Sequence, residues 1–320
     1  MTNDVFKDLV EQEIDIDSLK KEETYPFWMK VKDKELEIEL DKMDLLEQED
    51  PKKLTTNAVK PKRTWKKIPP ASRVKYPYRA NGVIVAIYRA DDGSQTKTIG
   101  SGTLISPKHV ITAAHNIYAI HKEGSLNIRV GFAEAVHFFP GVSLKDFRRH
   151  TPYGTHYATK IFKAPKYKGL NLQDGKNAWL HDMQHDWAMI TLNKDIGRKV
   201  GYIKLHAPNN KELGSKVYHV CGYPTSHKSK YLPKELENTD YFENMYYDYN
   251  RNKRCVSKVS DEIFGHDLDI WVGMSGAAIW EKHASGLKAC GIVSFHYNGK
   301  NYANRITPEK YKQFMQWMKS

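Results

Sequence analysis

The chain has few cysteines and no long hydrophobic run. Its 320 residues include three cysteines, Cys221, Cys255 and Cys290, and this odd, low count excludes a scaffold held together by many disulfides, so we expect reduced, buried thiols. No stretch of about 18 apolar residues occurs, so no membrane-spanning helix is predicted. The first thirty residues are acidic and lack the apolar core of a secretory signal. The location stays open between the cytoplasm, another export route, and secretion of a chain whose signal is missing here.

Signatures of cofactors and nucleic-acid binding are also missing. Four histidines between residues 150 and 185 match no zinc-ligand spacing, so no metal and no other cofactor is predicted. The formal charge is +12, but the chain shows no zinc-finger spacing and no aromatic RNA-binding signature. A nucleic-acid partner is therefore not expected, although a basic nucleic-acid-binding module is kept as an alternative.

Charge is divided unevenly along the chain. Residues 1–60 carry 10 Lys/Arg and 17 Asp/Glu, which leaves 40 of the 50 basic residues and 21 of the 38 acidic residues to the rest. The leader is thus net −7 and the remainder net +19. A segment rich in proline and lysine, residues 51–70, separates the two parts. We expect residues 1–67 to form an acidic, mostly helical extension that the basic body can attract.

A serine lies between two glycines in the sequence Gly273-Met274-Ser275-Gly276. Glycine tolerates backbone angles that other residues avoid, so a serine in this setting can sit on a sharp turn. Such a turn exposes the hydroxyl and aims nearby backbone N–H groups at one point. Acyl transfer needs both features, a presented nucleophile and donors for the developing oxyanion.

Two further segments supply the groups that such a serine requires. Thr112-Ala113-Ala114-His115 follows a short β run, and Asp186 directly precedes the apolar segment 187–192. These segments and the serine segment, in the order His, Asp, Ser, resemble the active-site segments of trypsin-like serine proteases. The resemblance implies a mainly β fold of two antiparallel six-stranded barrels, with the active site in the cleft between them.

The resemblance also implies a role for each residue. Ser275 would be the nucleophile, His115 the general base, and Asp186 the group that orients the imidazole. The backbone N–H groups of Gly273 and Ser275 would form the oxyanion hole. The implied function is endopeptidase hydrolysis of protein or peptide substrates through an acyl-enzyme. Two alternatives remain, a catalytically silent binding protein on this fold and an esterase with the same triad.

Within this family the closest resemblance is to bacterial glutamyl endopeptidases of the staphylococcal and Bacillus type. It covers roughly residues 70–320 and is carried by the segments 76–80, 101–107, 295–299 and 303–307. In that group a histidine binds the carboxylate of the substrate's glutamate. The resemblance gives this role to His296, with Ser294 and Phe295 beside it in the substrate pocket.

Several positions depart from the patterns of the relatives. Ile270 stands where glutamyl endopeptidases usually have a hydroxyl residue that lines the pocket. Asp269 stands where trypsin-like enzymes keep the acid that selects Arg or Lys, so a preference for basic residues is the alternative. Asn116 replaces the cysteine that often follows the histidine, and Met274 replaces the aspartate through which pancreatic zymogens are activated.

We therefore divide the chain into an extension (1–67), a first barrel (68–200) and a second barrel with a final helix (201–320). Glutamyl relatives are made with a pro-segment, which implies that the extension is an inhibitory leader cleaved between residues 55 and 68. Thr307 is expected to cap the final helix, with proline in its first turn. We expect its buried face to carry the apolar residues that share helical spacing, namely Tyr311, Phe314, Met315 and Met318.

Overall fold

A computed structural model describes residues 66–89, 95–119, 131–142, 151–169, 176–224, 244–249, 256–258, 260–297 and 300–320. The expected helical extension up to residue 65 and Cys255 lie outside the described residues. Cys221 and Cys290 are buried thiols, as expected, and the Cys290 thiol donates to the carbonyl oxygen of Ile279 at 3.4 Å.

The described residues of the first half contain the strands β1 (Lys66–Lys67), β2 (Asn81–Arg89), β3 (Gln95–Leu104), β4 (His109–Thr112), β5 (Tyr118–Ala119), β6 (Gly131–Phe132), β7 (Ala135–Pro140), β8 (His156–Lys163) and β9 (Ala188–Leu192). Six of these strands close into an antiparallel barrel in the order β2-β3-β4-β9-β8-β7. β5 and β6 pair only with each other, and β1 joins the other half.

The sequence of β2 shows why this barrel forms. Side chains alternate between the two faces of a strand. Ile84, Ala86 and Tyr88 accordingly enter the main core, whereas Val83 and Val85 join a second apolar cluster. Because both faces are buried, a run of β-branched and aliphatic residues with little polar alternation is stable here.

The second half contains the strands β10 (Lys204–Leu205), β11 (Tyr218–Gly222), β12 (Tyr246–Tyr249), β13 (Val256–Lys258), β14 (Ile263–His266), β15 (Ala278–His283), β16 (Gly286–Tyr297) and β17 (Lys300–Arg305). Together with β1 they form a nine-stranded sheet in the order β1-β12-β11-β15-β16-β17-β14-β13, with β10 added beside β16. The mainly β, two-part fold is confirmed. Six longer strands carry the second half, and the three short strands β1, β10 and β13 are additions to them.

Strand β1 belongs to the body of the protein, although the sequence-based division placed Lys66 and Lys67 in the extension. These lysines pair with Tyr247 and Tyr246 of β12. Next to them, Ile68 is buried and its N–H donates to the carbonyl oxygen of Met245 at 2.8 Å. Residues 66–68 are therefore attached to the second half through β12 and Met245.

Helices are few and mostly short: α1 (Pro70–Arg73), α2 (Lys176–Met183), α3 (Gly197–Val200), α4 (Asn210–Leu213), α5 (Pro308–Trp317) and the 3₁₀ turns Tyr78–Ala80 and Ala114–Asn116. Among the described residues, none of these helices has the length and apolar character needed to cross a bilayer.

The final helix α5 is capped as expected, since the Thr307 side chain accepts from the N–H of Lys310. Its predicted buried face is only partly right. Phe314 is fully buried, but Tyr311 and Met315 are 37% and 36% exposed. The buried neighbour of Phe314 is instead Lys310, one turn earlier. A lysine replaces an apolar residue there because it meets oxygen acceptors rather than a hydrocarbon surface.

Candidate active site

The pairing of β4 with β9 brings the candidate base and carboxylate together. His115 lies in the 3₁₀ turn just after β4, Asp186 lies just before β9, and the two strands align Thr112 with Ala188. The His115 ring Nδ1 is 2.7 Å from Asp186 Oδ2. The backbone N–H of His115 donates to the other oxygen, Oδ1, at 2.9 Å. Both carboxylate oxygens are thus engaged by one residue, which fixes the ring plane against the carboxylate.

Asp186 is 0% exposed, and its ionisation depends on its partners. Burial alone would raise the pKa of this carboxyl group. The charge of His115, the hydrogen bonds from its ring and backbone, and a hydrogen bond from Ser294 outweigh burial, so the pKa lies below its ordinary value. The buried aspartate is therefore an anion that can stabilise a positive charge on the imidazole.

Ser275 lies on a turn between Trp271 and β15. Gly273 and Gly276 on either side have φ angles of 88° and 89°, in the left-handed region that favours glycine. The serine is only 6% exposed, and its hydroxyl donates to the carbonyl oxygen of Ser294 at 3.4 Å. The turn predicted from the glycines is present and places the hydroxyl where the two halves meet.

Gly276 is also closely surrounded by the first half. A Cβ atom at this position would overlap the carbonyl oxygen of Ser101 and the hydroxyl of Thr112, both from the first half. Glycine is therefore required here for close approach as well as for its backbone angle.

Ser294 connects the candidate nucleophile to the candidate carboxylate. Its hydroxyl donates to Asp186 Oδ2 at 2.5 Å, while its carbonyl accepts from the Ser275 hydroxyl. The sequence indicated only a place in the substrate pocket, whereas the structure places this side chain on Asp186. No local sequence signal reveals that contact, because it joins β16 to a segment of the first half.

Residues of the first half also hold the backbone of the serine turn. The Asn116 amide donates to the carbonyl oxygen of Ser275 at 2.9 Å, and the N–H of Ser101 donates to the same oxygen at 2.9 Å. The Ser101 hydroxyl donates to the carbonyl oxygen of Gly273 at 2.8 Å. From the sequence, Asn116 was noted only because it replaces a cysteine. In the structure its side-chain amide forms a hydrogen bond that joins the two halves.

The backbone N–H groups of the turn differ in their partners. Those of Met274, Gly276 and Ala277 donate to carbonyl oxygens. Within the part of the chain that the structure describes, the N–H groups of Gly273 and Ser275 donate to no backbone carbonyl. One of these donors belongs to Ser275 itself, and the other lies two residues before it.

His296 lies at the exposed edge of the same region, on β16. Its Nδ1 is 2.7 Å from Asn301 Oδ1, and the Asn301 amide donates to the carbonyl oxygen of Leu268 at 2.9 Å. Asn301 on β17 faces His296 on one side and His266 of β14 on the other. Burial, together with the neighbouring His296, lowers the pKa of His266 to about 3, so this second histidine is neutral.

Two of the other predicted pocket residues lie on the segment that leads to the serine, and a third, Phe295, lies on β16. Asp269 and Ile270 are half-buried, and the Asp269 N–H donates to the carboxylate of Asp248 at 2.8 Å. Phe295 is buried and stacks on Tyr302 at 5.0 Å between ring centroids. Sequence reasoning missed Asp248 and Asn301, which hold this segment through contacts between distant strands.

Cofactor ligands are not assembled near these residues. Within the described ranges, no group of three or more His, Cys, Asp or Glu side chains could hold a metal ion. The arrangement places the His115 imidazole and the Ser294 hydroxyl on one buried carboxylate, and the Ser275 hydroxyl on the Ser294 carbonyl oxygen.

A six-stranded barrel and a second β unit, with histidine, aspartate and serine where they meet, define the class of chymotrypsin-fold serine proteases. Residues 75–318 match the family model described as Trypsin, and the chain belongs to the trypsin family. The family resemblance inferred from the sequence is thereby confirmed.

Curated relatives include the protein named Serine protease 23. The bovine protein is 28% identical over 233 residues, which cover 68% of this chain and 57% of that protein. The human protein is 27% identical over 232 residues, with coverage of 68% and 56%. The chain thus spans little more than half the length of the curated relatives it matches.

Solved structures of two proteases share the fold. One described as a Glu endopeptidase in complex with MPD has a TM-score of 0.56 at 18% identity and covers 80% of this chain and 97% of its own. The protease Anisep from Arthrobacter nicotinovorans has a TM-score of 0.52 at 16% identity, with coverage of 76% and 96%. At these identities the likeness concerns the fold.

Proposed function

We propose that the protein is a serine endopeptidase that hydrolyses protein or peptide substrates through an acyl-enzyme. The main support for the proposal is a series of hydrogen bonds. The Ser275 hydroxyl donates to the Ser294 carbonyl oxygen, the Ser294 hydroxyl donates to the Asp186 carboxylate, and the His115 ring contacts the same carboxylate. An aspartate on Nδ1 places the hydrogen of a neutral imidazole on that nitrogen and leaves Nε2 as the basic one.

We assign the steps of this reaction to these residues. His115 Nε2 takes the proton as Ser275 Oγ attacks the carbonyl carbon of the scissile bond, and Asp186 stabilises the imidazolium that forms. The tetrahedral intermediate then collapses, the C–N bond breaks, and His115 gives the proton to the leaving amine. Water, deprotonated by the same nitrogen, attacks the ester carbonyl, the C–O bond to Ser275 breaks, and His115 returns the proton to Ser275 Oγ. The N–H groups of Gly273 and Ser275 are proposed to bind the oxyanion in both halves of the reaction.

A serine-reactive fluorophosphonate tests the proposal directly, because only a serine activated by a base attacks it quickly. The chain offers a matched control on the exposed hairpin, where His283 Nδ1 lies 3.0 Å from Ser285 Oγ but no carboxylate among the described residues is hydrogen-bonded to the ring. We expect stoichiometric labelling that Ser285→Ala leaves unchanged. A native protein that fails to label, or that labels on Ser285, would contradict the proposal.

We further propose that His296 selects an acidic residue before the scissile bond. The Asn301 amide must donate through nitrogen to the Leu268 carbonyl, so its oxygen faces His296 and Nδ1 carries a hydrogen. The opposite nitrogen, Nε2, can then bind a carboxylate when protonated, at an exposed site with little cost of desolvation. His266, held neutral by burial, adds no competing charge.

His296→Ala is expected to lower kcat/KM for a glutamyl peptide by about 10- to 100-fold and to leave the matched glutaminyl peptide within about 2-fold, because one charge-assisted hydrogen bond is lost. The measurement is kcat/KM for both peptides with both proteins. Preferential cleavage after Arg or Lys by the native protein would instead assign selectivity to Asp269.

The acidic leader is proposed to restrain the site, an idea motivated by its net charge of −7 against +19 for the rest. Since β1 and Ile68 are part of the fold, the informative truncation begins at Lys66. We expect the truncated chain to have a higher kcat/KM than the full chain, with a smaller difference at high salt because exposed charges are screened. Equal values at low and high salt would show that the leader does not restrain the site.

A further inference from the structure

A lysine is buried behind the segment that carries Asp186. Lys310, in the first turn of α5, is 3% exposed. Its ammonium donates to the carbonyl oxygens of Gln184 and Glu262 at 3.1 and 2.9 Å, and to Asn304 Oδ1 at 2.9 Å. It also pairs with the Glu262 carboxylate at 3.1 Å. Burial of an ammonium is unfavourable unless its three donors are satisfied, and these acceptors satisfy them.

Asn304 links this lysine to the aspartate segment. It is fully buried on β17, and its Nδ2 donates to the carbonyl oxygens of Met183 and Asp186 at 2.9 and 3.2 Å. An ammonium has only donors, so it can hydrogen-bond only to the oxygen of the amide. Lys310 therefore fixes which end of Asn304 faces the main chain of residues 183–186.

The two ends of Asp186 are thus held by different groups. His115 and Ser294 engage its carboxylate, whereas Asn304 engages its backbone carbonyl. The contacts to the carboxylate determine how the side chain is oriented. The contact to the main chain determines the position of the Asp186 backbone from which the side chain extends. An error of about 1 Å in such a position can lower a catalysed rate by about 100-fold.

We propose that Lys310 and Asn304 are positioning residues for Asp186: the ammonium orients the Asn304 amide, and the amide sets the position of residues 183–186 so that the carboxylate meets the His115 ring. The catalytic meaning of this inference rests on the proposed hydrolysis. The contact between Asp186 and His115 that it governs can be measured without substrate.

The protonation of Lys310 gives the inference a specific pH dependence. A cavity of about 210 Å³, lined among others by Lys310, His185 and Trp187, lies at this site. Burial lowers the pKa of Lys310 to about 8, opposed by Glu262 and Asp186 and assisted by Arg305. Burial and the charge of Lys310 in turn lower the pKa of His185 to about 4, so this neighbour does not titrate in the same range.

Activity and stability should respond to this titration in opposite directions. Above pH 8 the folded lysine loses its charge, whereas the unfolded lysine keeps its proton up to its ordinary pKa of 10.5. The unfolded state then binds more protons, so this group makes the free energy of unfolding rise between these values. The neutral amine has one donor fewer and no charge to orient Asn304, so kcat should fall as pH rises past about 8.

Two variants test the inference in the full chain. Asn304→Asp keeps the shape and the acceptor for Lys310 but removes the donors to the two carbonyl oxygens, and Lys310→Met removes the ammonium. Lys312→Met, an exposed lysine on the same helix, is the matched control. We expect kcat to fall about 10- to 100-fold in both variants with KM within about 2-fold, and the control to match the native protein.

The low-field proton NMR signal of the His115 Nδ1–H···Asp186 hydrogen bond distinguishes positioning from a general effect on stability, because a loss of stability alone would not change it. We expect it to shift or broaden in Asn304→Asp and Lys310→Met at unchanged circular dichroism, and Lys310→Met to lack the fall of kcat above pH 8. A native signal and native kcat in Asn304→Asp would overturn the inference. A native protein without fluorophosphonate labelling would overturn the proposed function alone, because the NMR comparison still tests the positioning.

Discussion

Ser275→Ala is expected to lower kcat for peptide hydrolysis by about 10⁶-fold and to abolish fluorophosphonate labelling, because the reaction loses its nucleophile. The fold should survive this change. The hydroxyl makes one long hydrogen bond, to Ser294, whereas the contacts that hold the turn use the Ser275 backbone carbonyl, which alanine retains. We therefore expect a melting temperature within a few degrees of the native value.

Single-turnover hydrolysis measured beside thermal unfolding checks this expectation. Retention of more than about 1% of native kcat by Ser275→Ala would place the nucleophile elsewhere and contradict the proposed role of the turn.

Asp186→Asn is expected to lower kcat by about 10⁴-fold through the wrong tautomer of His115. The contacts of the carboxylate explain the direction. If the amide nitrogen replaced Oδ1, it would face the backbone N–H of His115, which cannot rotate away. The nitrogen must therefore replace Oδ2, where Ser294 can rotate its hydroxyl to accept. His115 Nδ1 then has to accept as well, so its hydrogen moves to Nε2 and the base is lost.

Asp182→Asn is the matched control for this variant. Asp182 is also buried, four residues earlier, and it accepts from the backbone N–H of Lys168 at 2.6 Å. We expect Asp182→Asn to keep kcat within about 10-fold of the native value. Equal losses in the two variants would show that Asp186 acts through the packing of its segment and not through the tautomer.

The sequence was sufficient to propose the candidate triad, because each proposed member lies in a short local pattern. The glycines around Ser275 and the β runs beside His115 and Asp186 are visible without knowledge of tertiary contacts. The fold class followed from the same segments, and the structure and family model confirm it.

The residues that hold the candidate site in place could not be predicted, because their contacts join segments that are far apart in the sequence. Asn301 and Asn304 act across strands, and the contact of Ser294 with Asp186 joins residues 108 positions apart. Lys310 was missed because helical periodicity ranks a lysine as exposed, whereas here oxygen acceptors from three segments surround it. Such polar contacts depend on the tertiary arrangement, which no local pattern encodes.

The bond between the Asn116 amide and the Ser275 carbonyl spans 159 positions, and the bond between Ser101 and Gly273 spans 172. Loops of this length close late in folding, after the local elements that they join have formed. The serine turn can thus reach its final shape only once both halves have folded and docked. For a chain that grows from its N-terminus during synthesis, the candidate site is therefore among the last parts to be completed.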